Sequence, residues 1–309
     1  MRAVIARAGS PVVEVVDTPD REPGPGQLRI RVAAATVNPV DAMVLDGAPV
    51  RFALVSAREV FGLGWDVAGE VVEVGPGVGG FAVGDAVLGL RDRLDVRAGA
   101  LAEFVVLDAD AVGALPAGLD PTAAATIPLN GLTAWQGLDL LGLSAGDTLL
   151  VTGAAGAVGG FAVELAAARG VRVLAVAGAA DEDFVRAVGA AWFVPRGPEL
   201  ADRVREIVPG GVDAVLDAAM LGPDALDAVR GGGAFVAVNA GAAPPALRGI
   251  RVHPLWVRAD GARSAELAAL AAEGALTLRV AEVVALADAA RAFTRLAQGG
   301  LRGRLVLVP

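Results

Sequence analysis

The stretch "TLLVTGAAGAVGGFAVELAAARGVRVLAV", Thr148–Val176, constrains the fold more than any other part of the 309-residue chain. An apolar run enters a glycine cluster, an Ala-rich helical pattern follows, and a second apolar run closes the unit. The alternation then continues through "DEDFVRAVGA", "AWFV", "PELADRVREIV", "DAVLDA", "PDALDAVRG" and "AFVAVNA". Strands and helices alternating at this spacing predict a parallel, doubly wound α/β sheet. Aligned on the strand end, the cluster reads Ala154-x-Gly156-x-x-Gly159, an Ala-for-Gly form of the dinucleotide fingerprint. In that reading Gly156 lets the backbone approach a pyrophosphate, and Gly159 lets the helix pack close to the strand. Ala157 and Val158, in the first helical turn, add free N–H groups and the positive end of the helix dipole. A close-packed strand-to-helix turn with no ligand is the alternative, and the glycines alone do not separate the two.

The N-terminal part has a different texture. "AVIAR", "VVEVV", "QLRIRVAAATV" and "VAGEVVEVG" alternate or run in β-branched residues between Gly/Pro/Asp turns, which predicts a partly closed β-barrel over roughly the first 115 residues. Helical periodicity takes over near "LPAGLDPTAAATIPLNGLTAWQGLDLLGL". After about Arg258 come a helix, "SAELAALAAEG", and two short strands flanking another, "LADAARAFTRLAQG". The closing "GRLVLVP" is a strand whose partner the spacing does not identify. The N-terminus lacks a sustained apolar leader, so the chain is expected to be cytoplasmic, with no membrane partner.

Inventory narrows the chemistry. The chain has no cysteine, no tyrosine and no lysine, and its one histidine is His253. A Cys/His zinc site, a disulfide framework, a cysteine nucleophile, a Tyr–Lys pair and a Schiff-base lysine all lack their parts. A net charge of −9 argues against nucleic acid as a partner.

Four stretches occur in a telling order: "NPVD" at 38–41, "GWDVAGEVVEVGPGVGGFAVGDAV" at 64–87, "IPLNGLTAW" at 127–135 and "GDTLLVTGAAGAVG" at 146–159. Together they resemble the medium-chain dehydrogenase/reductase superfamily and, within it, the zinc-independent quinone oxidoreductase (zeta-crystallin-like) branch. The resemblance implies a GroES-like β-barrel catalytic domain over residues 1–118, completed by about 259–309, and a Rossmann domain over 119–258 with a nicotinamide cofactor. It also implies a homodimer. Zinc-dependent relatives carry Cys-x-x-Asp where this chain has Asn38-Pro39-Val40-Asp41. They carry Gly-His-Glu where it has Gly64-Trp65-Asp66, and their third ligand falls on Leu129. No metal is therefore expected.

The chemistry implied is hydride transfer from NADPH to an electrophilic small molecule, a quinone or an α,β-unsaturated carbonyl. The enzyme must then hold both partners and offer a hydrogen bond to the developing oxyanion. An enoyl-reductase-like enzyme acting on acyl intermediates and a cofactor-binding protein with little turnover are the alternatives. Some relatives place a tyrosine near the substrate, where this chain has Met43 and Pro49. Asn38 is the candidate catalytic donor, with a plain turn role as its alternative. Asn130 and Thr133 follow as polar candidates near the nicotinamide, and Asp41 is expected to brace the local loop. Asn239 follows a sheet strand at the edge where doubly wound sheets hold ligands. His253 sits in an apolar segment and is read as structural.

An NAD site usually carries an acid at the end of its second strand. Here that strand ends in Ala177 and Gly178, which leaves room for a 2′-phosphate and points to NADP(H), with NAD(H) still admitted. Asp181 is expected to cap the next helix, although its charge does not favour a phosphate nearby. The resemblance puts Arg196 about where relatives carry a tyrosine beside the adenosine phosphate, and a guanidinium there would bind the phosphate bidentately; a solvent-exposed loop arginine is the alternative.

Overall fold

The structure, a computed structural model, describes residues 1–309. The chain forms two compact units, one of residues 1–129, 258–274 and 278–309, the other of residues 130–257 and 275–277. No helix is long and apolar enough to cross a membrane.

The first unit begins with eight strands: β1 (Arg2–Arg7), β2 (Val13–Asp17), β3 (Gln27–Val37), β4 (Val60–Gly62), β5 (Asp66–Val74), β6 (Ala86–Leu90), β7 (Phe104–Asp108) and β8 (Val112–Ala114). β3 organises them. One of its edges pairs with β5, while the other is shared, Gln27–Arg31 with β7 and Ala35–Val37 with the last strand of the chain. Its sequence shows why. Residues 28–32 alternate, with Leu28, Ile30 and Val32 buried, and Arg29 and Arg31 face Glu73 and Glu70 across β5. Such cross-strand opposite-charge pairs favour this register. From Ala34 onward every residue of β3 is buried, because the strand is covered on both faces.

The second unit holds β9 (Thr148–Thr152), β10 (Arg172–Ala177), β11 (Trp192–Pro195), β12 (Val212–Asp217), β13 (Val229–Ala237) and β14 (Arg251–Pro254), all parallel, in the order β11-β10-β9-β12-β13-β14. Central β9 is buried throughout, as a parallel strand covered by helices on both faces should be, while the edge strands β11 and β14 are half exposed. The helix Pro128–Leu141 lies on this sheet through Gly137, where a Cβ would stand 3.0 Å from Leu216. The strand order reverses between β9 and β12, and crevices at the carboxyl ends of such a pair are where doubly wound sheets hold ligands.

The chain then returns to the first unit. β15 (Val280–Ala285) and β16 (Arg304–Val308) pair in parallel, and β16 joins β3 antiparallel through Leu305–Leu307. The closing strand thus completes the sheet of the first unit, a partner that spacing could not reveal.

Candidate functional site

In the second unit, parallel register gathers five loops at one edge of the sheet. Thr152 lies beside Val176 and Asp217, Asp217 beside Ala237, and Ala177 beside Pro195. Ala154, Gly156, Gly178, Arg196 and Asn239 therefore all follow strand ends on that edge. Ala154 is fully buried and its N–H donates to Val176 O at 3.0 Å. Gly156 is the N-cap of the helix Ala157–Ala168, and its missing side chain leaves the first turn uncapped. The N–H groups of Ala157, Val158 and Gly159 have no intrahelical acceptor, as in any first turn. A Cβ on Gly159 would stand 2.2 Å from Gly153 O, so only glycine permits this helix to approach the strand. This donor set fits a pyrophosphate: several N–H groups, a helix N-terminus and no side chain in the way.

The rim that would meet an adenosine ribose is built over Gly178. A Cβ there would lie 3.2 Å from Asp181 Oδ2 and 3.6 Å from Arg196 Nη2, so a carboxylate and a guanidinium converge above this one glycine. Arg196 is exposed, its backbone held by Arg196 N–H to Ala177 O at 2.8 Å. Asp181 occupies the N-cap position of the helix Glu182–Ala187, but its carboxylate makes no capping hydrogen bond. The expectation that it caps this helix is therefore corrected; the carboxylate turns toward Gly178 instead.

Asn130 and Thr133 lie one turn apart on the helix Pro128–Leu141, both buried. Asn239 folds its own loop, its Oδ1 accepting from Gly241 N–H at 3.0 Å while Nδ2 donates to Met220 Sδ at 3.2 Å. His253 is on edge strand β14 beside Val236, with Nε2 buried and unpartnered. Sequence reasoning missed Asp217. Its carboxylate accepts from Thr152 Oγ1 at 2.5 Å, Gly222 N–H at 2.8 Å and Leu221 N–H at 3.1 Å, which shapes the loop after β12. An aspartate closing the apolar run of "AVLD" at a strand's carboxyl end was the available signal.

In the first unit, a polar network lies under the turn at 38–41. Asn38, Asp41, Asp66 and Thr36 are fully buried, and Arg304 nearly so. Asn38 Nδ2 donates to Asp66 Oδ2 at 2.7 Å and Thr36 Oγ1 at 2.9 Å, while Asn38 Oδ1 accepts from Arg304 Nη2 at 2.7 Å. The amide thus bridges a carboxylate and a guanidinium. Asp66 also accepts from the Thr36 hydroxyl and the Leu129 amide, and Arg304 donates to Val37 O. Asp41 accepts from Asn38 N–H at 2.8 Å and Gly64 N–H at 2.7 Å, tying the start of the helix Pro39–Leu45 to Gly64 at φ +101°. Asp41 does brace the loop.

Burial pushes the Asp41 carboxyl up to about 7, against the pull of the Asn38 and Gly64 amides. Burial likewise raises Asp66, opposed first by the Thr36 hydroxyl. It lowers Arg304, with Asp66 and then Asp41 opposing. These are the marks of charges removed from water and compensated by hydrogen bonds.

This geometry revises the expectation for Asn38. Both of its amide hydrogens are committed within the network and its side chain has no exposed surface. It positions Asp66 and Arg304 and has no free donor for a substrate. Arg304 was the other residue missed, since nothing in "GRLVLVP" marks its arginine as buried.

The comparisons agree on the family. An alcohol dehydrogenase GroES-like domain model matches residues 24–117, and a zinc-binding dehydrogenase model matches residues 188–307. A mycobacterial structure complexed with NADPH is 30% identical, with each chain covered over 100% and a TM-score of 0.85. The quinone oxidoreductase from Coxiella burnetii is 28% identical, covering 100% of this chain and 99% of that one, with a TM-score of 0.85. The chain belongs to the medium-chain dehydrogenase/reductase superfamily, in its quinone oxidoreductase-like branch. This superfamily member also resembles part of a mycocerosic acid synthase-like polyketide synthase of Mycobacterium tuberculosis, 38% identical over 199 residues. That match spans 63% of this chain but only 9% of the synthase.

Proposed function

We propose that the chain is a zinc-independent, NADPH-dependent oxidoreductase that reduces quinones or α,β-unsaturated carbonyls, working as a cytoplasmic homodimer. One observation carries zinc independence. Two of the three positions that hold zinc ligands in metal-dependent relatives are spent otherwise. Asn38 bridges Asp66 and Arg304, and Leu129 offers Asp66 only its backbone amide. The third position is Trp65, which has no ligating atom. No three His, Cys, Asp or Glu side chains gather in a way that could hold a metal ion.

The cofactor, when bound, supplies a hydride. The residues around it do the rest: Gly156, Ala157 and Val158 receive the pyrophosphate, and Arg196 meets the 2′-phosphate over Gly178. Asn130, Thr133 and Asn239 are the polar groups assigned to the nicotinamide end. A conjugated acceptor spreads the developing charge over its own oxygen, so the reaction needs neither a metal nor a strong acid. Because Asn38 is committed, no side chain is assigned as proton donor and solvent supplies the proton. The similarity to a polyketide synthase favours one second reading, reduction of an enoyl thioester on an acyl intermediate.

Stopped-flow mixing of NADPH-loaded protein with a panel of quinones, enones and enoyl thioesters, with and without a chelator, tests this. Chelator-insensitive oxidation by quinones or enones is expected. Oxidation by enoyl thioesters alone would select the second reading, and binding without oxidation would sink both.

A further inference from the structure

The first unit contains a cavity of about 620 Å³ that includes none of the network residues. Its walls are the segment Thr18–Arg21, the loop that follows β6, and β7. Four arginines line it, Arg21, Arg91, Arg93 and Arg97, together with four aspartates. Two of the aspartates are in ion pairs and two accept from neutral donors. Asp95 pairs with Arg93 at 3.0 Å, and Asp20 pairs with Arg29, which comes from outside the lining. Asp92 accepts from Ala259 N–H at 2.8 Å and Asp108 from Gln27 Nε2 at 2.8 Å. Arg21, Arg91 and Arg97 form no ion pair.

Arg91 is the unusual one. It follows the last residue of β6, its N–H donating to Trp65 O at 2.7 Å, and its side chain runs beneath β7 with 9% of its surface exposed. Nη2 donates to Val106 O, while Nε is buried with no partner. Burial first, then the nearby Arg21 and Arg93, pulls its pKa down to about 10, with Asp108 and Asp92 opposing, so it stays a cation at neutral pH. Neither carboxylate forms an ion pair with it, so the buried guanidinium is compensated only in part, and a bound anion would stabilise it further. Arg21 and Arg97, both exposed, come to the same cavity from different segments. Guanidinium groups arriving from several directions suit a tetrahedral oxyanion better than a planar carboxylate, which one fork satisfies. The cavity also exceeds a bare ion, and Leu90, Ala98, Val105 and Leu107 supply apolar wall for an organic portion.

We propose that this cavity binds a phosphate-bearing small molecule, a monoester or diphosphate, with Arg91 as the buried anchor and Arg21 and Arg97 on the outer oxygens. The full chain, labelled with nitrogen-15, is titrated separately with inorganic phosphate, pyrophosphate, phenyl phosphate and citrate. The signals followed are Arg91 Nε–H and the amides of Asp92–Arg97. Saturable shifts are expected with the phosphates, phenyl phosphate binding more tightly than inorganic phosphate if the apolar wall is used. Affinity should fall about tenfold in Arg91→Met and about threefold in each of Arg21→Ala and Arg97→Ala. The last two residues are exposed, so these variants test the site even if Arg91→Met fails to fold. The proposal is overturned by shifts confined to Ala154–Gly159, by citrate binding more tightly than every phosphate, by unchanged affinity in the exposed variants, or by no saturation.

Discussion

Asp66 with Arg304 in the first unit and Asp181 with Arg196 in the second bring the same two side chains together in opposite surroundings. Around Asp66, the polar groups are almost wholly out of water and almost every atom has a partner, with Asn38 relaying between carboxylate and cation. Over Gly178 the carboxylate and guanidinium converge at an exposed rim, where water and salt screen them. A buried arrangement of this kind has one stable geometry and defends it, because a lost partner leaves an uncompensated charge. Groups at a solvent-facing rim can rearrange when a better anion arrives. The first is suited to holding a fold in place, and the second, in the proposed function, to choosing between cofactors.

Breaking the buried side should produce the largest effect. Arg304→Met leaves Asp41 and Asp66 without their cation and should cost about 3–5 kcal/mol in urea unfolding at pH 7; a cost under about 1 kcal/mol would show that hydrogen bonds alone compensate the acids. Next is Gly159→Ala, whose Cβ meets Gly153 O at 2.2 Å. Overpacking against backbone should cost about 1–3 kcal/mol and, by moving the helix off the strand, weaken NADPH binding at least tenfold by fluorescence titration. Gly156→Ala, with 3.1 Å to the same oxygen, should cost clearly less.

The network should also leave a mark on pH dependence. Asp41 sits at about 7 in the folded chain, above an unfolded aspartate, so between about pH 4 and 7 the folded state holds a proton the unfolded state has released. Stability should therefore fall as pH rises through that window, at most about 1.4 kcal/mol per unit for one proton. Asp66 acts in the same direction. Asp41→Asn should flatten the slope measured by urea unfolding between pH 5 and 7; an unchanged slope would assign the proton to Asp66.

The smallest effect is expected at the rim. Arg196→Ala should leave stability within about 0.5 kcal/mol, as exposed substitutions do. It should raise the NADPH dissociation constant about five- to tenfold while leaving NADH unchanged, as loss of a charge-assisted contact would. Equal loss for both cofactors would remove Arg196 from 2′-phosphate recognition.

How legible each region was in the sequence follows from how far apart its parts lie. The cradle at Ala154–Gly159 is a local object, since a strand, its turn and its helix are contiguous and the glycines are required by contacts within one turn. Gly178 and Arg196 come from successive strands of a regular alternation, so their shared edge also follows from pattern. What pattern left undecided there was whether the Asp181 carboxylate caps its helix or faces the rim, because a helix N-cap position does not dictate where its side chain turns. The network was opaque. Asn38 and Arg304 are 266 residues apart, and their meeting depends on β16 pairing with the second half of β3.

From the sequence by itself came the doubly wound sheet, the Ala-x-Gly-x-x-Gly turn, the absence of cysteine and tyrosine, and the family resemblance. These rest on local periodicity and on inventory, which need no tertiary contact. Tertiary structure alone decided that the closing strand belongs to β3, that Asn38 is a bridge with no donor to spare, and that Arg91 is buried without an ion pair. Burial and hydrogen-bond satisfaction are properties of which distant segments meet, and a strand's own residues do not name its partner.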